Sequence, residues 1–208
     1  MKEEFILKKL DLTVQKGEFV CIIGPIGSGK SSLLSTIIGD MIYSKESRVN
    51  QDDPTASEFV TQPINLNQEL SYSQQIPWIQ NKSIRENILF GLPYDQAKYE
   101  DTIKICELTR DLEILPNLDE TEIGEKGINL SGGQKARVSL ARAIYADRDL
   151  VLLDDPISAL DANVKKKIFE NVLLNHLKEK TIILVTHAID FLHLVDRIVV
   201  LKEGEIAL

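Results

Sequence analysis

One octapeptide constrains this chain more than anything else in it. Gly24-Pro25-Ile26-Gly27-Ser28-Gly29-Lys30-Ser31 fits the pattern G-x-x-x-x-G-K-[ST]. It lies between the apolar run Phe19-Val20-Cys21-Ile22-Ile23 and Lys30-Ser31-Ser32-Leu33-Leu34-Ser35-Thr36-Ile37-Ile38, whose spacing predicts a helix ending at Gly39. Strand, glycine loop and helix in that order make a phosphate cradle. The glycines let backbone N–H groups turn inward, and the helix start contributes its positive dipole end. Lys30 is placed to neutralise the β and γ phosphates of a nucleoside triphosphate, and the Ser31 hydroxyl to ligate Mg²⁺. The plainer reading, a glycine-rich turn with an exposed lysine, is the weaker one because the pattern and both flanks agree.

The rest of the chain supplies the frame for such a loop. Ahead of it, Phe5-Ile6-Leu7-Lys8-Lys9-Leu10-Asp11-Leu12-Thr13-Val14 alternates around one interruption and predicts a further strand, joined to the next by a turn at Gly17-Glu18. Residues 43–69 turn polar, with Pro54 and Pro63 and no sustained period, and predict a surface excursion. Leu70-Ser71-Tyr72 resumes a strand. Residues 83–146 read as helical, broken at Gly91-Leu92-Pro93, Pro116-Asn117 and around 124–127. The last third alternates: strand at 150–153, helix after Asp161, strand at 181–185, short helix from Ala188, strand at 197–201. Short apolar strands alternating with helices predict an α/β domain with a mainly parallel sheet covered on both faces and an antiparallel β edge. The expected division is a nucleotide-binding core from 1–75 and 147–208 with a helical insert at 76–146.

Composition removes several function classes. With 24 Lys plus Arg against 32 Asp plus Glu, the net charge of −8 opposes binding to a nucleic-acid backbone. At 43% hydrophobic and 27% charged, 208 residues bury a proper core, which excludes a disordered tail or a disulfide-stapled module. No apolar run approaches the roughly 18 to 20 residues that cross a bilayer. The acidic start, Met1-Lys2-Glu3-Glu4, lacks a secretory h-region and places the domain in the cytosol. Cys21 and Cys106 have no partner at metal spacing and read as buried thiols.

Two further segments carry chemistry. Leu150-Val151-Leu152-Leu153-Asp154-Asp155 is an apolar strand delivering two acids at its C-terminal edge, where α/β sheets place ligand chemistry. Asp154 is the candidate Mg²⁺ ligand; a helix-capping acid before Pro156 is the competing reading. Leu130-Ser131-Gly132-Gly133-Gln134 precedes a helical period at Val138, Ala141 and Ile144. Ser131 is its candidate N-cap, Gln134 completes a capping box, and two glycines leave the first N–H groups open to an anion.

The ordered series of phosphate loop, Gln75, the 130–134 motif, the acidic strand, Ser158-Ala159-Leu160-Asp161 and Thr186-His187 resembles the nucleotide-binding domain of an ATP-binding cassette (ABC) transporter, over nearly the whole chain. The resemblance implies a P-loop NTPase (RecA-like) fold with an inserted helical signature subdomain, and ATP with Mg²⁺ as cofactors. It implies that Gly24, Pro25, Ile26, Gly27, Ser28, Gly29, Lys30, Ser31 and Ser32 form the Walker A segment, and that Gln75 touches Mg²⁺ and feels the membrane domain. Leu130, Ser131, Gly132, Gly133 and Gln134 correspond to the signature that contacts ATP held by the opposite domain. Asp154 corresponds to the Walker B aspartate, the segment ending at Asp161 to the D-loop, and His187 to the switch histidine near the γ phosphate. Implied partners are a second nucleotide-binding domain and transmembrane domains, with no nucleic acid. The implied location is the cytoplasmic face of a membrane, through a full-length transporter.

Residues 78–91 and 122–129 further resemble the first nucleotide-binding domain of the multidrug-resistance-associated, or C, subfamily. Asp155 agrees, since such domains commonly carry aspartate where most active sites have glutamate as the general base or water-positioning group. Aspartate stops roughly 1.5 Å short of glutamate, and misplacement by about 1 Å lowers a rate by up to a hundredfold. The expectation is a site that binds ATP well and hydrolyses it slowly. Departures are a leading strand that begins too late to hold an adenine-stacking aromatic, with Phe5 the substitute, an atypical 43–69 stretch, and an early end after Gly204-Glu205, together suggesting a fragment of a larger membrane protein. Alternatives are a nucleotide-binding regulatory module with negligible hydrolysis and, more remotely, a soluble cassette protein, which usually shows basic arms or a second cassette. A GTPase is disfavoured because Asn81-Lys82-Ser83 does not continue to an aspartate in register, and a protein kinase uses a different glycine loop.

Overall fold

The computed structural model describes residues 7–8, 10–41, 69–124 and 129–207. Strands β1 (Phe19–Ile23), β2 (Leu70–Ser73), β3 (Leu150–Asp154), β4 (Thr181–Val185), β5 (Arg197–Lys202) and β6 (Glu205–Ile206) form one sheet in the order β2-β3-β4-β1-β5-β6. All neighbours run parallel except the β5–β6 hairpin at the edge. Strands β3 and β4 are buried along their whole length, as parallel strands covered on both faces must be.

The period of two along each strand sorts the core into two clusters. Phe19, Cys21, Val151, Leu153, Ile182 and Leu184 point to one face, against helices that include α5 (Gly132–Tyr145). Val20, Ile22, Leu150, Leu152, Ile183 and Val185 point to the other, against Leu33 and Leu34 of α1 (Lys30–Ile38). Between β2 and β3 the chain forms α2 (Ile84–Leu89), α3 (Gln96–Ile105), α4 (Thr109–Glu113) and α5. The breaks at 91–93 and 116–117 fall where the sequence reading put them, a further one separates α3 from α4 at 106–108, and most of the break expected around 124–127 lies outside the described residues. Helix α6 (Ala162–Ile168) follows Asp161, then widens into a π-helical stretch, Phe169–His176, whose Phe169 ring stacks on Phe191 at 4.4 Å.

One expectation needs correction. The described residues between 7 and 15 form no strand. Leu10, Leu12 and Val14 are nonetheless half-buried while Asp11, Thr13 and Gln15 are exposed, and Leu7, Leu10, Leu12 and Val14 pack on the second cluster. Alternation reports one-sided burial, and a strand also needs a ladder of backbone partners. Here Lys8 N–H donates to the Gly204 carbonyl at 2.8 Å, and no ladder continues from it among the described residues. Phe5 and the 43–68 part of the polar excursion lie outside the described residues, as do 125–128. No helix among the described residues is long and apolar enough to cross a membrane.

Candidate functional site: a phosphate cradle at the C-terminal edge of the sheet

Register places the site. Asp154 of β3 pairs with Val185 of β4, and Val185 pairs with Ile22 of β1, so three strands end level and side by side. The segments that leave these ends are 24–29, Asp155 onward, and Thr186-His187. Residues as far apart as 24 and 187 thereby share one edge, where α/β sheets bind ligands.

The loop is held in a shape that glycine alone permits at two points. A methyl group on Gly24 would come within 2.1 Å of the Leu201 carbonyl oxygen, so strand β5 approaches the loop backbone closely. Gly29, at φ 100°, occupies the N-cap of α1 in the left-handed region and offers no side-chain cap. The first N–H groups of this nine-residue helix are therefore open to an anion.

Lys30 is only 6% exposed, and its Nζ donates to the carbonyls of Gly24 and Pro25, both at 2.9 Å. Burial lowers its pKa; Asp154 and Asp155 oppose that shift through their charges. Asp154, 2% exposed, is pushed above the usual carboxylate range by burial first. A hydrogen bond from Ser31 pulls it down, Asp155 raises it, and the charges of Lys30 and His187 lower it. Ser31, Asp155, Lys30 and His187 thus all bear on the Asp154 carboxylate. Two buried oxygens at this edge, Ser28 Oγ and Asp154 Oδ1, have no hydrogen-bond partner among the described residues. A buried polar atom left unsatisfied costs about 1–3 kcal/mol, and more when charged. A carboxylate oxygen without a donor, beside a hydroxyl, suits a divalent cation that keeps most of its own waters and takes few protein ligands. Among the described residues no three His, Cys, Asp or Glu side chains gather as a metal-holding group, at this edge or away from it, so a cation here would rely on few protein ligands.

Asp155 is 5% exposed and sits at φ 47°. Its N–H donates to the Val185 carbonyl (2.8 Å), its carbonyl accepts from the Ser158 hydroxyl (2.9 Å), and its Oδ1 accepts from the Thr186 hydroxyl (3.0 Å). Sequence reasoning placed Thr186 beside His187 but missed this bond. The available signal was a hydroxyl at the first position beyond a buried strand. Gln75 is exposed, two residues past the end of β2, whose Ser73 pairs with Leu153. It therefore lies on the same edge. His187 and Ser31 are also exposed.

The 130–134 motif is built differently. Ser131 and Gln134 form the predicted capping box of α5, with Gln134 N–H donating to Ser131 Oγ (3.2 Å) and Ser131 N–H to Gln134 Oε1 (2.8 Å). Gln134 Nε2 also donates to Asp111 (2.9 Å), so both ends of its amide are bonded within the fold. Ser131 and Gly132 are exposed, whereas Leu130 is buried. Asp161 caps α6, accepting from the N–H groups of Asn163 and Val164.

Next to the Gln75 turn lies a groove of about 440 Å³ lined by Tyr72, Gln74, Trp78, Phe90, Ser139 and Arg142. Arg142 stacks on Trp78 and Phe90 and donates to the carbonyls of Trp78 and Asn87. Trp78 and Phe90 keep about half their surface exposed, and Ile76 beside them more.

A family model described as ABC transporter matches residues 7–158. The chain is 47% identical over 204 residues to "ABC transporter C family member 8" of Dictyostelium discoideum, covering 97% of this chain and 12% of that protein. It is 46% identical to "Multidrug resistance protein mrp-7" of Caenorhabditis elegans, over 98% of this chain and 12% of the relative. Against "ATP-binding cassette sub-family C member 3" of Homo sapiens the identity is 45%, over 97% and 12%. The chain therefore spans about an eighth of the length of these relatives. The relatives named above, C-subfamily and multidrug-resistance proteins, are what the chain is similar to, and a glycine loop, two acids and a histidine on one sheet edge, with a family model spanning most of its length, place the chain in the ABC transporter family.

Proposed function

We propose that this chain binds Mg·ATP in the 24–32 loop and works as one nucleotide-binding domain of a C-subfamily transporter, closing on a second such domain to drive export. The observation that carries the reading is the pair of unsatisfied buried oxygens, Ser28 Oγ and Asp154 Oδ1, beside a buried Lys30 and an uncapped helix start. Residues 1–75 and 147–208 form the ATP-binding core in this reading, and 76–146 the helical subdomain.

Each side chain has a defined task. The loop N–H groups and the start of α1 hold the phosphates. Lys30 exchanges its bonds to the Gly24 and Pro25 carbonyls for phosphate oxygens, carrying its charge to where negative charge gathers. Ser31 and Asp154, with Gln75 from the same edge, hold Mg²⁺, which supplies charge neutralisation at the phosphates when bound. Asp155 orients or deprotonates the attacking water, and His187 lies by the γ phosphate. The 130–134 motif offers its open N–H groups to the nucleotide of the opposite domain, and Asp161 lies along that interface. The groove at Trp78 and Phe90 suits a helix of the membrane domain, through which Gln75 senses it.

Hydrolysis at this site is slow. Asp155 stops short of where a glutamate carboxylate would reach. That shortfall also favours the second reading, an ATP-binding regulatory module with negligible turnover. Photolabelling of the full-length protein with radiolabelled azido-ATP tests the primary function. Label is expected on this chain, with loss on Lys30→Ala, and equal labelling of the variant would remove the proposal. Conversion of the bound label to ADP separates the two readings.

A further inference from the structure

We propose that Thr186 is a positioning residue for the phosphoryl-transfer step. Its hydroxyl fixes one carboxylate oxygen of Asp155, so that the other is turned to the attacking water. This rests on the reading of Asp155 as the water-orienting group.

The geometry is a relay of two hydrogen bonds. Ala188 N–H donates to Thr186 Oγ1 at 3.0 Å, which orients the hydroxyl, and that hydroxyl donates to Asp155 Oδ1 at 3.0 Å. Both Thr186 and Asp155 are buried. The Asp155 backbone is held at the same time. Its N–H is bonded to Val185, the residue before Thr186, and its carbonyl to Ser158. Its left-handed φ, a conformation Asp tolerates better than most residues, fixes the direction in which the side chain leaves the strand. With main chain and Oδ1 both fixed, the carboxylate retains one orientation. A short side chain that cannot reach farther gains most from being held still, because a few tenths of an ångström of wandering removes it from a productive approach. Thr186 also precedes His187 directly, so one bond couples the two groups nearest the reacting phosphate.

The test uses the full-length protein and radiolabelled azido-ATP. Occupancy of this chain at crosslinking gives affinity, and the conversion of bound label to ADP gives turnover at this site alone. Thr186→Val, which keeps shape and removes the donor, is expected to slow conversion about tenfold, the fold-change of one hydrogen bond to a charged group. ATP affinity should stay within about twofold. Thr186→Ser should restore conversion, since it returns the hydroxyl. Unchanged conversion in Thr186→Val, a Ser variant as slow as Val, or an affinity loss that parallels the rate would overturn the inference. Asp155→Asn separates the two levels. If it abolishes conversion while Thr186→Val does not, the positioning role alone fails; if Asp155→Asn converts at the native rate, the role of Asp155 fails and this inference with it.

Discussion

The two ends of this chain's ATP-related sequence are prepared in opposite ways. At the sheet edge, Lys30, Asp154 and Asp155 are buried together, and Ser28 Oγ and Asp154 Oδ1 have no hydrogen-bond partner among the described residues. At the start of α5, Ser131 and Gln134 cap each other at the surface and Asp111 accepts one bond from the Gln134 amide, part-buried. The first region holds unsatisfied groups in a fixed frame, which is what a site awaiting its own ligand needs. In the second, the Ser131 and Gln134 side chains are engaged with each other and with Asp111, and the N–H groups at the start of α5 are what is left to offer. A surface of that kind suits a contact brought from outside, as the proposed function requires.

The largest effect that could break this contrast is at Gly24. Gly24→Ala places a methyl 2.1 Å from a backbone oxygen of β5, so either the loop or the strand must move. Azido-ATP labelling of this chain should fall by on the order of a hundredfold or more, as misplaced phosphate donors lose several charged hydrogen bonds at once. Asp155→Glu comes next. Restoring the missing methylene should raise conversion of bound nucleotide by roughly ten- to a hundredfold with labelling unchanged, and an unaltered rate would remove side-chain reach as the cause of slowness. At the other region, Ser131→Ala should lower stability by about 1 kcal/mol, the usual worth of an N-cap. For a domain of this size that is a fall of roughly 2–4 °C in Tm by thermal unfolding. Labelling of the chain's own loop should not change, because the capping box shares no group with it. The smallest expected effect is chemical. Burial pushes the Cys21 thiol up to about 12, and Cys106 is raised further, so neither is ionised at pH 8. Neither should react with iodoacetamide until urea unfolds the protein.

Much of this was legible in the sequence because it is local. The helix from Lys30 to Gly39, the strand ending in Asp154, and the Ser131–Gln134 cap each depend on residues within a few positions of one another. What was not legible depends on partners far along the chain. Residues 10–14 alternate as a strand does, yet their ladder depends on what lies beside them, and burial of Leu10, Leu12 and Val14 is all the pattern guaranteed. The Thr186–Asp155 bond joins positions 31 residues apart and exists because β3 and β4 are neighbours in register. The π winding of Phe169–His176 had no signal in the residue spacing. Motif order singles out Gln75 and His187 as candidates, and the structure brings both to the sheet edge without burying either.

The most direct test of the account is calorimetric titration of the folded protein with ATP, with and without Mg²⁺, alongside Lys30→Ala and Asp154→Asn. The account predicts saturable heat with Mg·ATP, weaker binding when Mg²⁺ is chelated or Asp154 is replaced, and none resolved for Lys30→Ala. Heat that is identical in all four conditions, or absent from the native protein, would contradict it.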